Sequence, residues 1–460
     1  MYSLVFVIGF LIIPSFCLFL LYKSNIKLLK PSIPSIFLWA YLCFAYIGIL
    51  PLFFFWNDYR YTIGINNQEK IFYLWILSSL GLLIIVFIIF LLSKIQFFKV
   101  EDEEVTPDTK ENLRLKIFMG ILFIGVILVL AVYLSKIPRI PIIEELLGAS
   151  ASDVAKYRSL ATNGFDGKLH WYRLVYAEVL TLISYYAFVM VYKNRSLYNI
   201  LFFAATFSVR LFTSIMTTQK GPLIWYIIGM IIVYLIMTRK TLNLKYILGI
   251  FSFVFVTLIL MYKYIMGLSN RPIGDVVQAF LSRAFTGQIS PAYFYLELFP
   301  EKREFMLGQS FPNPMGIFPW EPVSITREVA KYMNPTVENT GVVASAPTVY
   351  WGEMYANFGL GGVIISSLAL GMILYLCHIV LSKLELNALT IAYSTWIILY
   401  FKDLVFTSFS TIFLDIDLVL ITMLFGAGYI LTLNRQSIRT IIFNMDFKVR
   451  NFFEKELKHE

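Results

Sequence analysis

The 460-residue chain is poor in charge, because Asp, Glu, Lys and Arg together make up only 15% of it. An ordinary soluble domain carries roughly a quarter of its residues as charged side chains. Two or three soluble domains are therefore excluded, since they would need far more polar surface. A transmembrane β-barrel is also excluded, because its strands alternate between apolar and polar residues, whereas the apolar runs here are continuous.

The chain also has few cysteines and lacks the common signatures of soluble enzymes. All three cysteines lie inside apolar runs, so they predict no disulfide framework. There is no P-loop, no HExxH motif, no Cys/His cluster and no nucleotide-sugar D-x-D motif in a predicted external loop. The sequence therefore predicts no metal and no cofactor, and it offers no basic soluble domain that would bind nucleic acid.

Apolar runs recur along the whole chain, and each is long enough to cross roughly 30 Å of hydrocarbon. They predict an all-α fold, a polytopic transmembrane helical bundle of about eleven spans with a large extracytoplasmic loop that contains short helices. The spans are predicted near residues 3–22, 34–56, 71–93, 116–134, 172–192, 197–216, 221–238, 246–266, 359–381, 387–402 and 412–433.

Basic residues are concentrated in alternate loops and in the tail after the last span. Because Lys and Arg hold loops on the cytoplasmic side, this pattern predicts an outside N-terminus and a cytoplasmic C-terminus. The first apolar run has no basic region before it and no small-residue cleavage site, so it is predicted to be a retained span. The predicted regions are spans one to eight in 1–266 with an external loop at 135–171, a large external loop at 267–358, spans nine to eleven in 359–434 and a basic tail at 435–460.

The large loop at 267–358 is rich in both proline and aromatic residues. So many aromatic side chains predict a packed cap on the membrane surface instead of a flexible linker. Within the cap, short helices are predicted at 275–287 and 325–333, and Asn334-Pro335 ends the second.

Arg210 is the clearest charge inside a predicted span. Such charges are costly and usually face a cavity or the bundle interior. Two interpretations are open for Arg210, a role in a polar cavity or a buried ion pair with Glu178. Arg210 shares one helical face with four hydroxyl side chains, those of Thr206, Thr213, Ser214 and Thr217.

Five other cations are predicted near the outer membrane surface: Arg173, Lys220, Lys263, Arg271 and Arg283. Arg271 is interpreted as extending toward lipid headgroups, and for Lys263 that alternative stays open. With Arg210 they predict a positive cavity that binds an anionic lipid, since Arg binds phosphate bidentately and an apolar wall strengthens the attraction. A polyprenyl pyrophosphate has this chemistry.

The stretch APTVYWGEMYANFGLGG, at 346–362, places a carboxylate among aromatic rings at the start of a predicted span. A buried carboxylate can act as a general base for a sugar hydroxyl, and aromatic faces hold sugar rings. The alternatives are an interfacial aromatic belt and glycines that permit close helix packing. The predicted base is Glu353, and the predicted sugar-binding residues are Tyr350, Trp351, Tyr355, Asn357 and His170, of which His170 is also a second candidate base. For Tyr355 and Asn357 the alternative is that they support Glu353.

The layout resembles the Wzy-type oligosaccharide repeat-unit polymerases, which are relatives of the O-antigen ligases. The resemblance rests on about eleven spans, the large loop before the ninth, and the segments TTQKGP, RAFTGQISPAYFYLELF and GEMYANFGLGG. Arg283 matches the family's arginine at the start of the large loop, and Lys220 stands where relatives carry Arg before Gly. The loop 267–358 has no histidine, which favours a polymerase over a ligase.

The resemblance implies a GT-C-like membrane glycosyltransferase at the outer face of the bacterial inner membrane. It would transfer the growing glycan from undecaprenyl pyrophosphate to the distal sugar of a new lipid-linked repeat unit, inverting and without a metal. Arg210, Lys220 and Arg283 would neutralise the leaving pyrophosphate and Glu353 would take the acceptor proton. The expected partners are the lipid-linked oligosaccharide, the bilayer and a chain-length regulator. The alternatives are a ligase, a flippase or transporter of lipid-linked oligosaccharide, and a non-catalytic assembly subunit.

Overall fold

The structure is a computed structural model that describes residues 2–95, 112–162, 164–219, 221–241, 272–313, 316–335 and 344–433, with five single positions between 249 and 259. Most of these residues are helical, and no strand occurs among them. Ten of their helices are long and apolar enough to cross a membrane. The prediction of an all-α polytopic helical bundle is therefore confirmed. The predicted span 246–266 lies outside the described residues apart from those single positions.

The ten candidate spans agree with the predicted runs to within a few residues, with one exception. The ninth predicted span begins at Tyr350, inside the segment predicted as loop, and not at residue 359. The candidate spans are Ser3–Lys23, Ile33–Phe53, Gln68–Lys94, Leu113–Lys136, Leu169–Lys193, Leu197–Ile215, Gly221–Thr238, Tyr350–Ser382, Ala388–Val405 and Phe409–Thr432. The last of them contains two helices, Phe409–Phe413 and Ile416–Thr432.

Long connections with short helices lie at one end of the bundle, which we call the loop end. They contact one another there, since Lys70 forms an ion pair with Glu301 and Asn57 donates a hydrogen bond to Ser282. The predicted short helices of the large loop are confirmed. The helices of these connections are Asp58–Thr62, Pro141–Leu146, Ala151–Ala161, Ile273–Leu281, Gly287–Leu298 and Ile325–Met333, and a π-helical turn, Ser282–Thr286, joins the fourth to the fifth.

The core of the bundle surrounds the helix Ala388–Lys402, every residue of which is buried. A helix that is apolar on all sides is stable only when neighbours enclose it. Beside it, the helices Gln68–Lys94 and Tyr350–Ser382 approach each other closely at Gly371. A Cβ added at Gly371 would lie only 2.9 Å from the carbonyl oxygen of Ile85. Small residues at such crossings allow backbones to come into contact in a membrane.

The helix Tyr350–Ser382 is interrupted at Gly359, where φ is 61° and ψ is −146°. Only glycine adopts this conformation without strain. At Gly362 an added Cβ would lie 2.2 Å from the carbonyl oxygen of Met354. Gly359 and Gly362 therefore allow a break in the helix Tyr350–Ser382. This break separates the segment that bears Glu353 from the rest of the helix.

Gly48 marks a second close approach, at the loop end. A Cβ added there would lie 2.4 Å from the carbonyl oxygen of Phe285, so the backbone after the π-helical turn Leu42–Tyr46 contacts the turn Ser282–Thr286. π-Helical turns inside helices occur frequently at functional sites. Gly48 thus fixes the position of the residues beside Arg283.

Replacing Gly48 by alanine is expected to lower the free energy of unfolding by about 1 to 3 kcal/mol, because overpacking forces the backbone at Phe285 to move. The melting temperature of the detergent-solubilised protein measures the effect. Gly120→Ala is the matched control, since an added Cβ there meets no atom within 4 Å and alanine favours the helix. Equal melting temperatures for the two variants would contradict the close approach.

Candidate functional site

Glu353 is enclosed in the protein at the loop end, with only 2% of its surface exposed. Its Oε1 atom accepts hydrogen bonds from the hydroxyl groups of Ser310 and Ser410 at 2.9 Å and 2.6 Å. Its Oε2 atom accepts a hydrogen bond from the backbone N–H of Ser410 at 2.8 Å. Ser410 lies in the first turn of the helix Phe409–Phe413, where N–H groups favour a negative charge.

Asn357 extends this network. Its Nδ2 atom donates to the hydroxyl of Ser310 at 2.7 Å and to the carbonyl oxygen of Glu353 at 2.8 Å. Its Oδ1 atom accepts from the backbone N–H of Gly308 at 2.8 Å. Glu353 and Asn357 therefore connect three segments of the chain. Both side chains are enclosed, and Asn357 supports Glu353, which is the predicted alternative to a sugar contact, whereas the role of Glu353 as a base stays a prediction.

The aromatic residues of the same stretch are also buried. Tyr350 and Trp351 are completely enclosed, and Tyr355 is nearly so. The hydroxyl of Tyr350 shares a hydrogen bond with that of Ser367, and the ring of Tyr355 contacts Phe305 edge to face. These side chains stabilise the core, so the structure does not support their predicted role as stacking surfaces for sugar rings.

Arg210 lies within the bundle, and the predicted polar face of its helix is buried with it. Its Nε atom donates to the hydroxyl of Thr181 and its Nη1 atom to that of Ser214, each at 2.6 Å. The guanidinium carbon is 5.3 Å from the centre of the Tyr226 ring. Glu178 acts on Arg210 electrostatically, but the pair is not within 4 Å, so the predicted ion pair is not formed. Hydroxyl groups and an aromatic face thus hold Arg210.

Of the remaining predicted cations, the structure describes Arg173 and Arg283. Arg173 is exposed, and its charge acts on the carboxylates of Asp403 and Asp417. Lys220 and Lys263 lie outside the described residues. The charges of Arg173 and Arg210 both act on Tyr176, and a single cationic cavity that includes Lys220 and Lys263 stays a prediction.

Arg283 instead belongs to a different group of cations at the loop end. It is exposed on the turn Ser282–Thr286 and acts electrostatically on both Arg60 and Arg158. Burial is the main cause that lowers the pKa of Arg60 and of Arg158, and the positive charge of Arg283 lowers both further, while Tyr59 opposes the shift at Arg60. We call Arg60, Arg158 and Arg283 the arginine cluster.

The arginine cluster has no internal counterion in the part of the chain that the structure describes. None of its three guanidinium groups lies within 4 Å of a described carboxylate. The Nε atom of Arg60 is buried and has no hydrogen-bond partner among the described residues. Like charges that act on one another, with an unsatisfied buried donor among them, are unfavourable unless an anion binds, so this is a candidate anion site.

Local structure fixes the position of Arg60 relative to Arg283. The side-chain oxygen of Asn57 caps the helix Asp58–Thr62 by accepting from the N–H of Arg60 at 3.1 Å. The amide of Asn57 also donates to the hydroxyl of Ser282, next to Arg283. A Cβ added at Gly287 would lie 3.0 Å from Nη2 of Arg60, so that guanidinium contacts the backbone that follows Arg283.

An apolar groove of about 490 Å³ lies directly beside the arginine cluster. Asn57 and Ser282 line it, and each is close in sequence to a cluster arginine. A volume of this size is typical of small-molecule sites. The apolar lining side chains include Ile47, Leu50, Pro51, Trp56, Val277 and Leu281.

His170 lies elsewhere at the loop end, against two carboxylates. Its Nε2 atom is 3.2 Å from Oδ1 of Asp417 and 3.6 Å from Oδ1 of Asp415. It is therefore not grouped with the predicted sugar-binding residues of 350–357, which are buried in the core. We call these three residues the His–Asp cluster.

Sequence reasoning missed Arg60, Arg158 and the two aspartates of the His–Asp cluster. One signal for the arginines was available, since both lie in loops that the charge pattern places outside, where basic residues are less common. The signal for the aspartates was the D-x-D spacing of Asp415 and Asp417 at the start of the last span.

No protein-family model matches the chain, and no curated protein or solved structure matches it either. Functional inference therefore rests on the geometry of these sites and on the sequence.

Proposed function

We propose that the protein is a membrane glycosyltransferase that polymerises lipid-linked oligosaccharide repeat units. The observation that carries the proposal is the position of the arginine cluster beside the apolar groove. A polyprenyl pyrophosphate has an apolar chain and a diphosphate, and the two adjacent surfaces match these two parts. The resemblance to Wzy-type polymerases adds the expected location, at the outer face of the bacterial inner membrane.

The proposed donor is the growing glycan on undecaprenyl pyrophosphate, with its isoprenoid in the groove. Arg60, Arg158 and Arg283 bind the diphosphate oxygens, and their interaction strengthens as negative charge develops on the leaving group. A hydroxyl oxygen of the new repeat unit forms a bond to the anomeric carbon as the bond from that carbon to the phosphate oxygen breaks, and the hydroxyl proton passes to water. The guanidinium groups provide the neutralisation that a metal supplies in other transferases.

The residue roles in this proposal differ from those predicted from the sequence. Arg283 is again proposed to bind the pyrophosphate, whereas Arg210, which Thr181, Ser214 and Tyr226 hold inside the bundle, is given no such role. No general base is assigned, because Glu353 is enclosed and His170 lies against two aspartates.

Purified protein in proteoliposomes with a lipid-linked repeat unit tests the proposal. We expect products that lengthen by whole repeat units while still attached to lipid, with one undecaprenyl pyrophosphate released for each unit added. Transfer of glycan to a different acceptor would instead indicate a ligase. Movement of the lipid across the bilayer without a new glycosidic bond would indicate a transporter, and either result would reject the proposal.

Filling the groove is expected to weaken donor binding. Gln278 lines the groove and is exposed, so Gln278→Trp adds bulk where the isoprenoid would lie with little risk to folding. Displacing the chain from part of its apolar contact raises KM for the donor by about tenfold, roughly 1.4 kcal/mol. Steady-state kinetics with the lipid-linked donor measure this change.

The neighbouring substitution Ala279→Trp is the control, because Ala279 is exposed on the same helix and does not line the groove. Its KM is expected to equal that of the unmodified protein. If both substitutions raise KM equally, the groove is not the isoprenoid site.

A further inference from the structure

The His–Asp cluster brings together two membrane-spanning helices at the loop end. His170 lies in the first turn of one, Leu169–Lys193, while Asp415 caps the helix Ile416–Thr432 and Asp417 lies in its first turn. One ligand atom from each of the three side chains lies within 4.8 Å of the other two. Asp415 also accepts a capping hydrogen bond, from the N–H of Asp417 at 3.3 Å.

A second feature of the cluster points to a ligand. Asp417 is only 3% exposed, and its Oδ1 atom is buried with no hydrogen-bond partner among the described residues. This is the same atom that lies 3.2 Å from Nε2 of His170, so it faces the centre of the cluster. A buried carboxylate oxygen that accepts no hydrogen bond is unfavourable, and a cation at the centre would satisfy it.

We propose that Nε2 of His170 and the Oδ1 atoms of Asp415 and Asp417 bind a divalent first-row metal cation, Mn²⁺ or Zn²⁺. Metal–ligand bonds of about 2.0–2.2 Å place neighbouring donor atoms about 3.0–3.5 Å apart. The separations of 3.2 Å and 3.6 Å from Nε2 are close to that range. An imidazole with two carboxylates suits these ions better than Ca²⁺ or Mg²⁺, which prefer oxygen ligands alone.

Charges around the cluster are compatible with a bound cation. Glu178 and Asp415 both add negative potential at Asp417, and Arg173 opposes them. The side chain of His170 is 40% exposed, so a cation can reach the cluster. The remaining coordination positions of the bound cation stay open to water or an anion. The bound ion connects the two helices. This metal site differs from the sequence-based prediction, which was a protein without a metal.

Metal binding to the purified, chelator-treated full-length protein tests the proposal in the absence of any glycan donor. We expect one equivalent of Mn²⁺ by electron paramagnetic resonance, displaced by Zn²⁺, and a melting temperature that rises with either ion. His170→Gln and Asp417→Asn are each expected to weaken binding by at least tenfold. Glu144→Gln, which removes a loop-end carboxylate paired with Arg139, is expected to bind as the unmodified protein does.

The competing account of the cluster is a protonated His170 that simply pairs with the two aspartates. It predicts no saturable binding of Mn²⁺ or Zn²⁺, and that result would overturn the proposal. Binding that survives both His170→Gln and Asp417→Asn would overturn it as well. If Asp417→Asn fails to fold, His170→Gln still tests the proposal, because the side chain of His170 is 40% exposed and its replacement is expected to leave the fold intact. Since no substrate is present, the outcome is independent of the proposed polymerase activity.

Discussion

Arg283→Ala is expected to lower kcat/KM for chain extension by about 10²–10³-fold, the usual effect of removing one donor that stabilises a developing charge. The melting temperature is expected to stay constant or rise slightly. Arg283 is exposed and has no ion-pair partner among the described residues, so its removal leaves no buried group unsatisfied. It also relieves repulsion of Arg60 and Arg158.

Arg327→Ala is the matched control for this variant. Arg327 is also an exposed arginine of the large loop, on the helix Ile325–Met333, and it lies outside the arginine cluster. Its substitution removes the same net charge from the same region, so it is expected to leave kcat/KM unchanged. Equal rates for Arg283→Ala and the unmodified protein would show that the arginine cluster is not the pyrophosphate site.

A double-mutant cycle with Arg60→Ala measures whether two members of the cluster act on one anion. Residues that share one ligand show interaction energies of about 0.5 to 3 kcal/mol, whereas distant sites add independently. We expect the loss in the double variant Arg60→Ala/Arg283→Ala to be smaller than the product of the single losses. Additive losses would place the two guanidinium groups on separate ligands.

The spans were predictable because they depend on local composition. A run of apolar residues forms a membrane helix whatever it later packs against, so Gly221–Thr238 is found at the residues predicted. The cap helix Ile325–Met333 was predictable for a similar reason, since Asn334-Pro335 stops it locally.

The site was less predictable because its contacts connect distant parts of the chain. Glu353 receives its hydrogen bonds from residues 43 and 57 positions away, and no spacing within 346–362 indicates them. A carboxylate among aromatic residues has the same local sequence whether it faces a sugar or closes a buried network. The arginine cluster likewise combines residues from three separate connections, so only the packed bundle reveals it.

Glu353→Ala is expected to lower the free energy of unfolding by at least about 2 kcal/mol. It leaves the buried N–H and hydroxyl of Ser410 and the half-buried hydroxyl of Ser310 without their acceptor, and each unsatisfied buried donor costs about 1 to 3 kcal/mol. The melting temperature in detergent measures the loss. Glu321→Ala is the control, because Glu321 is an exposed carboxylate of the same loop and its removal is expected to have no effect.

Glu353→Gln distinguishes a structural carboxylate from a catalytic base. The amide keeps one acceptor oxygen, so this variant is expected to be less stable than the unmodified protein but to retain chain extension per folded molecule. A general base gives the opposite pattern, with an unchanged melting temperature and turnover lowered by about 10²-fold or more. That pattern would restore Glu353 as the base, and it would require the Ser310–Glu353–Ser410 network to open when the acceptor sugar binds.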